Sequence, residues 1–144
     1  MSEVFSESTV VNENIEEVWG FLIDMEENAS KWMPNIPYMK KSSTGQVNNG
    51  TSFTFKARGK EQTSTITQFN PNEKFTLTSI QGDFRADYTY SLTKQADNTT
   101  KVSLVAKCEA SGMMKMVAPL IKIAIKKADG GQLNTLKKVI EKGK

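Results

Sequence analysis

Two tyrosines alternate along one predicted strand, and they are the residues in this sequence best suited to chemistry. Tyr88 and Tyr90 share the apolar face of that strand, because successive strand side chains point to opposite faces. A buried hydroxyl held in place can donate a hydrogen bond to a ligand carbonyl or to an enolate. The alternative is that each ring packs in the core with its hydroxyl bonded to backbone or water. The chain has no histidine, which removes the commonest general acid and base, the Ser-His-Asp triad and most zinc sites.

Four other side chains can be given either a functional or a structural role. Arg58 and Glu61 flank a predicted tight turn, where they can orient a ligand carboxylate or act as a base, or simply pair across the hairpin. Trp32 can line a cavity entrance or anchor a short helix to the sheet. Asp87 can move a proton, although the predicted strand register directs it outward.

Composition restricts the compartment and the partners. The single cysteine, Cys108, cannot form an internal disulfide, and without a histidine beside it we interpret it as a small buried hydrophobe. There is no recognisable signal peptide and no apolar run near the roughly twenty residues that cross a bilayer. We therefore predict a soluble, cytoplasmic protein without a transmembrane segment. The net charge of +3 includes only two arginines, so nucleic acid is not an expected partner.

The last third of the chain, residues 111–144, has the pattern of one long amphipathic helix rich in Met and Ile. Three methionines within residues 113–116 suit an adaptable cavity wall or lid as well as a core, because Met side chains fill irregular space. Gly130 and Gly131 interrupt this helix at a cost of about 1 kcal/mol each relative to alanine. One face of the helix carries the lysines Lys115, Lys122, Lys126 and Lys127.

The residues before this helix predict an α+β fold. A strand over 3–11 precedes a helix that Asn12 caps and a second short helix over 26–31. Turn residues then separate six strands rich in Thr, Phe, Tyr and Val, which indicates an antiparallel meander. These strands are predicted at 38–43, 51–57, 61–69, 73–80, 84–93 and 100–110. All of these elements fit a single domain over residues 1–144.

Several short motifs resemble one known family. Residues 17–24 (EVWGFLID) followed by 31–34 (KWMP) resemble the opening of the polyketide cyclase/dehydrase-like branch of the SRPBCC superfamily. Residues 50–53 (GTSF), 70–71 (NP) and 136–137 (LK) also suit that pattern, so the resemblance spans nearly the whole chain. It implies a START-like helix-grip fold: a curved seven-stranded antiparallel sheet, two short helices after the first strand, and a long C-terminal helix across the sheet.

The resemblance also implies a cavity between the sheet and the C-terminal helix. The leading hypothesis is that this cavity binds a hydrophobic small molecule such as a lipid, an isoprenoid or an aromatic polyketide-like compound. The alternative is a cyclase or dehydratase in which Tyr88 or Tyr90 polarises a carbonyl while Glu61 or Asp87 moves a proton. A third hypothesis is a module that contacts an acidic protein or a membrane surface through the lysine face.

The candidate residues and partners follow from these hypotheses. We predict no metal and no cofactor, and a monomer or weak homodimer. At the cavity mouth we predict the polar candidates Arg58, Glu61 and Trp32. The predicted cavity lining comprises Phe53, Phe55, Phe84, Tyr88, Tyr90, Leu104, Cys108, Met113, Met116, Val117, Leu120 and Ala124.

Overall fold

A computed structural model describes residues 2–34, 36–42, 44–57 and 59–142, which form seven antiparallel strands and four helices. The strands join in one sheet, and their order across it leaves the first and second strands at the two edges. The elements are β1 (Ser2–Val11), α1 (Ile15–Ile23), α2 (Met25–Trp32), β2 (Met39–Lys41), β3 (Ser52–Ala57), β4 (Lys60–Asn70), β5 (Lys74–Gln81), β6 (Phe84–Ala96), β7 (Thr99–Ala110), α3 (Met114–Asp129) and α4 (Gln132–Lys142). The sheet order is β1-β7-β6-β5-β4-β3-β2.

The predicted helix-grip architecture is confirmed, and one detail of it was wrong. The cap of α1 is Asn14, whose side chain accepts a hydrogen bond from the backbone N–H of Glu17 at 2.9 Å. Asn12 lies too early in the chain for that role, because a cap directly precedes the first helical residue, here Ile15. The backbone N–H of Asn12 instead donates to the Glu141 carboxylate at the far end of the chain, at 2.8 Å.

The C-terminal helix is present as two segments, and the break falls at Gly130 and Gly131. A Cβ atom at Gly130 would lie 2.5 Å from the carbonyl oxygen of Lys126, so a larger residue does not fit there. Gly131 has a φ of +86°, in the left-handed region that glycine adopts without a steric penalty. The two glycines therefore end α3 and redirect the chain into α4.

A residue of strand β1 stabilises the bend between α3 and α4. The Glu7 carboxylate accepts hydrogen bonds from the backbone N–H groups of Gly131 at 2.7 Å and Leu133 at 3.2 Å. It thereby satisfies amide groups that have no partner within α4, and it places a negative charge at the positive end of the helix dipole. One strand residue thus fixes where α4 begins.

Aromatic side chains fill one end of the space between the sheet and the helices. Trp19 of α1 packs on Phe75, with ring centroids 5.7 Å apart, and Phe75 stacks on Tyr90 at 5.0 Å. Leu133 and Leu136 of α4 are fully buried against this cluster. Here the space between sheet and helices is an ordinary core.

Candidate ligand-binding cavity

The other end of the same space is open, and it forms a cavity of about 910 Å³. Its walls come from the inner faces of β3 to β6, from α3, and from the end of α2 with the segment that leads into β2. Strand β6 runs from the cavity into the filled core. Its residues Phe84, Ala86 and Tyr88 line the cavity, Tyr90 lies at the boundary, and Leu92 belongs to the core.

The helical wall of the cavity is apolar because of residue spacing along α3. Met114, Ile121, Ile125 and Ala128 line the cavity and follow one another at intervals of seven, four and three residues. In an α-helix these intervals place side chains on one face. Of these four, only Ile125 is buried, so the others contribute surface that an occupant can cover.

The third wall is the segment after α2, which two prolines keep out of helical conformation. Pro34 and Pro37 line the cavity together with Met33, Ile36 and Met39. Two methionines here and Met114 on the opposite wall give the cavity flexible surfaces that adjust to the shape of an occupant.

A polar cluster lies where the cavity meets the core, on both sides of the helix break. The Tyr88 hydroxyl donates to the Asp129 carboxylate, and the Tyr90 hydroxyl donates to Oε1 of Gln132 at 2.7 Å. Nε2 of Gln132 donates to the backbone carbonyl of Asp129 at 3.0 Å. Asp129 is the last residue of α3 and lies four residues after Ile125 on the cavity-facing side, while Gln132 is the first residue of α4. The two helices therefore bring both side chains to the tyrosines at the break.

Tyr90 is held in its neutral form. Burial raises its pKa well above the usual 10, and the nearby negative charges of Asp129 and Glu7 raise it further. The hydroxyl therefore remains a hydrogen-bond donor throughout the physiological pH range and does not become a phenolate base.

Neutral polar groups line the sheet side of the cavity. The hydroxyls of Ser64 and Ser79 hydrogen-bond to each other across β4 and β5, and Gln62 and Gln81 lie at neighbouring lining positions of the same strands. Among the described residues that line the cavity, Asp129 is the only one with a formal charge at neutral pH. Within that part of the chain, the cavity offers amides and hydroxyls but no cation to pair with an anionic ligand.

Comparison with known proteins identifies the family. Residues 2–141 match the family described as "Polyketide cyclase / dehydrase and lipid transport". The chain belongs to this family. Among curated proteins, none matches the sequence significantly.

Solved structures share the fold of this polyketide cyclase/dehydrase and lipid transport family member at low sequence identity. The di-domain ARO/CYC protein BexL, from the BE-7585A biosynthetic pathway, superposes with a TM-score of 0.78 at 18% identity; the match covers 98% of this chain but only 47% of BexL. A START superfamily protein from Mycobacterium smegmatis gives 0.70 at 14% identity, covering 97% of this chain and 98% of that one. A protein from Thermus thermophilus gives 0.72 at 14% identity, covering 96% and 97%. The chain thus spans about half of BexL, and the whole of the fold is shared with the other two.

The predicted strand residues divide between the cavity and the core. Phe55, Phe84, Tyr88 and Tyr90 line the cavity. Phe53 and Leu104 point to the same side of the sheet but are fully buried in the filled end. Cys108 is buried beside a separate pocket of about 350 Å³ near Lys122, and burial raises the pKa of its thiol. This agrees with its interpretation as an unreactive hydrophobe.

The predicted residues of the C-terminal helix are not among those that line the cavity. Met113, Met116, Val117 and Leu120 are exposed on the outer face, and Ala124 is half-buried. Met114, Ile121, Ile125 and Ala128 line the cavity instead. Sequence reasoning did not separate the two sets because apolar residues occur on both faces of this helix.

The two predicted mouth residues that the structure describes do not line the cavity. Trp32 is only 2% exposed and packs edge-to-face on Tyr90 in the core, so it does not border an entrance. Glu61 is exposed on β4 and is not among the lining residues, while Arg58 lies outside the described residues. Asp87 faces outward, as its strand register predicted, and its carboxylate accepts from the Thr78 hydroxyl and pairs with Arg85.

Sequence reasoning missed Asp129 and Gln132, the two groups that hold the tyrosines. The sequence feature that could have indicated them is their position on either side of the Gly130-Gly131 pair, where a helix break allows polar side chains to turn inward. Within the described residues, no helix is long and apolar enough to span a bilayer.

Proposed function

We propose that this protein binds a neutral, largely apolar small molecule in the cavity. The observation that carries the proposal is the cavity itself, about 910 Å³ with apolar walls from three parts of the fold and a few convergent polar groups. This volume lies within the range of about 300–1,000 Å³ that is typical of small-molecule sites. A core that was merely imperfect would contain only small voids, because protein interiors are close-packed.

The polarity of the lining supports a neutral ligand over an anion. A ligand carboxylate would lose its hydration and would face the Asp129 carboxylate without a cation among the described lining residues. A carbonyl or hydroxyl can instead hydrogen-bond to the amides of Gln62 and Gln81 or to the hydroxyls of Ser64 and Ser79. Neutral isoprenoids, neutral lipids and aromatic polyketide-like compounds meet these requirements.

A pair of related fluorescent probes tests the proposal. N-phenyl-1-naphthylamine is neutral, and 1-anilinonaphthalene-8-sulfonate adds a sulfonate to the same aromatic skeleton. We expect the neutral probe to bind with about micromolar affinity or tighter, and the sulfonate at least about tenfold more weakly. Equal binding of both probes would contradict the preference for a neutral ligand.

Two substitutions on one strand locate the binding site. Ala86→Phe extends a ring into the cavity, whereas Ala96→Phe makes the same change at an exposed position of β6. We expect Ala86→Phe to abolish binding of the neutral probe and Ala96→Phe to preserve it. Unchanged binding by the Ala86→Phe protein would remove the cavity from consideration as the site.

One contact favours a second candidate function, a cyclase or dehydratase. Tyr88 and Asp129 form a hydroxyl–carboxylate pair in the cavity wall. If a bound ligand carbonyl turns the Tyr88 hydroxyl away from Asp129, the freed carboxylate can remove a proton from the carbon next to that carbonyl, while the hydroxyl donates to the enolate oxygen that forms. In this version of the hypothesis Asp129 replaces the carboxylates Glu61 and Asp87, neither of which lines the cavity.

Conservative substitutions separate an enzyme from a binder. With a polyketide-like substrate, an enzyme should lose about a hundredfold or more in turnover with Tyr88→Phe or Asp129→Asn. A binder should show no turnover in any form and should change only in affinity. Glu61→Gln and Asp87→Asn are the matched controls, and a loss of turnover in either would overturn the assignment to Asp129.

A further inference from the structure

The outer face of α3 carries an apolar strip that no other part of the described chain covers. Its five large side chains are Met113 (85% exposed), Met116 (83%), Leu120 (70%), Ile123 (56%) and Val117 (41%). Scattered exposed apolar residues are ordinary, but a contiguous set on one helix marks an interaction surface. We name these five residues the outer strip of α3.

The outer strip is distinct from the cavity wall on the same helix. At 100° per residue, Met114, Ile121 and Ile125 point to the cavity, whereas Met116, Leu120 and Ile123 point away from it. Met113 and Val117 lie between these two sides, at the edge of the strip. A helix that is apolar on two faces is normally buried on both. Here the cavity-facing side meets the sheet, and so does the flank with Lys122, whose Nζ donates to the Ser2 hydroxyl at 2.6 Å, while the outer strip is exposed.

The charges that α3 itself contributes beside the outer strip are all positive. Between Ser111 and Ala128 there are four lysines and no acidic residue. Lys115, Lys122 and Lys126 recur at intervals of seven and four residues, which aligns them along one flank of the strip, while Lys127 lies within it near its C-terminal end. Apolar side chains bordered by lysines are the pattern of a helix that lies in the interface of an anionic membrane.

We propose that the outer strip of α3 docks onto an anionic lipid surface. The helix is about 24 Å long at 1.5 Å per residue, so the strip can lie flat at the level of the lipid headgroups. This inference rests on the proposed function, because it places the wall of the ligand cavity against the bilayer that supplies or receives an apolar ligand. An antiparallel two-fold pairing with a second copy fits less well, because it would bring the lysine flanks of both copies together.

Co-sedimentation with lipid vesicles tests this surface. We expect the wild-type protein to bind vesicles that contain phosphatidylglycerol, to bind pure phosphatidylcholine vesicles much less, and to be released by salt. Met116→Ser with Leu120→Ser should weaken binding by at least about tenfold, because two apolar side chains no longer insert. Ile80→Ser is the matched control, since Ile80 is 64% exposed on β5, away from the strip.

The lysines are tested separately from the apolar side chains. Lys126→Gln with Lys127→Gln should weaken binding to phosphatidylglycerol vesicles by about fivefold per lysine. The matched control is Lys56→Gln with Lys74→Gln, which removes the same charge from exposed strand positions. Equal losses in both pairs would mean that net charge alone attracts the protein, and would overturn a docking surface on α3.

Three other outcomes would also overturn the proposal: no vesicle binding by the wild-type protein, undiminished binding by the Met116→Ser/Leu120→Ser protein, or a dimer that this double substitution dissociates. The last result would assign the strip to a second copy of the chain. Titration with N-phenyl-1-naphthylamine in the absence of vesicles keeps this test separate from that of the cavity. The double variant should bind this probe like the wild type, so failure of the cavity and failure of the docking surface give different results.

Discussion

Replacing Glu7 by alanine should destabilise the bend that presents Asp129 and Gln132 to the cavity. The Glu7 carboxylate accepts from the amides of Gly131 and Leu133 at 2.7 and 3.2 Å, and it is half-buried on β1. Loss of a helix cap costs about 0.5–2 kcal/mol, and hydrogen bonds to a charged group contribute about 1.5–3 kcal/mol each. Allowing for water that reaches the freed amides, we expect a loss of about 2 kcal/mol in the free energy of unfolding.

Equilibrium urea unfolding, followed by circular dichroism, measures this loss. Glu7→Gln keeps one carbonyl oxygen but turns an amide NH₂ toward the second donor, so about half of the effect should remain. Glu3→Ala is the control, because Glu3 is an exposed carboxylate on the same strand. If Glu7→Ala unfolds at the same urea concentration as Glu3→Ala, the reasoning that Glu7 holds the bend is refuted.

Two further predictions concern backbone conformation and pH. Gly131→Ala should lower the free energy of unfolding by about 1–2 kcal/mol, because φ is +86° there. Gly20→Ala in α1 should raise it by about 0.5–1 kcal/mol, because an added Cβ meets no atom within 4 Å. Urea unfolding compares the two variants, and equal effects would contradict this account. Hydrogen bonds from Lys137 and from the Asn12 backbone lower the pKa of Glu141 below its usual 4.5. The carboxylate therefore stabilises the fold above pH 4.5 and loses this effect as the pH falls through the lowered pKa. Glu141→Gln should cost at most about 1 kcal/mol at neutral pH and nothing in stronger acid, and a cost that persists in acid would exclude the ion pair as its cause.

The strands that shape the cavity were predictable because their pattern is strict. Phe84, Ala86, Tyr88 and Tyr90 alternate with polar residues, and a period of two residues assigns one face to the interior. The same rule does not say how far the sheet lies from the helix above it. The alternation is identical at Ala86, which borders a void, and at Leu92, which borders a packed core.

The helix face and the polar cluster were not predictable for different physical reasons. In α3 the apolar residues surround most of the helix, so spacing alone did not distinguish Met114 in the wall from Met116 on the surface. Asp129 meets Tyr88 across 41 positions of sequence, because it lies four residues after Ile125 on the cavity-facing side of α3. Such contacts depend on the angle between two elements, which residue types encode only weakly.

The central claim, that a neutral ligand enters the cavity, is tested most directly by nuclear magnetic resonance of ¹³C-labelled methionine methyl groups. Met33, Met39 and Met114 line the cavity, whereas Met113 and Met116 are exposed on the outer strip, so the chain carries its own control. On titration with farnesol, a neutral isoprenoid, we predict shifts and ligand contacts at the three lining methyl groups and not at the two exterior ones. Changes confined to Met113 and Met116, or no changes at all, would contradict a ligand-binding cavity.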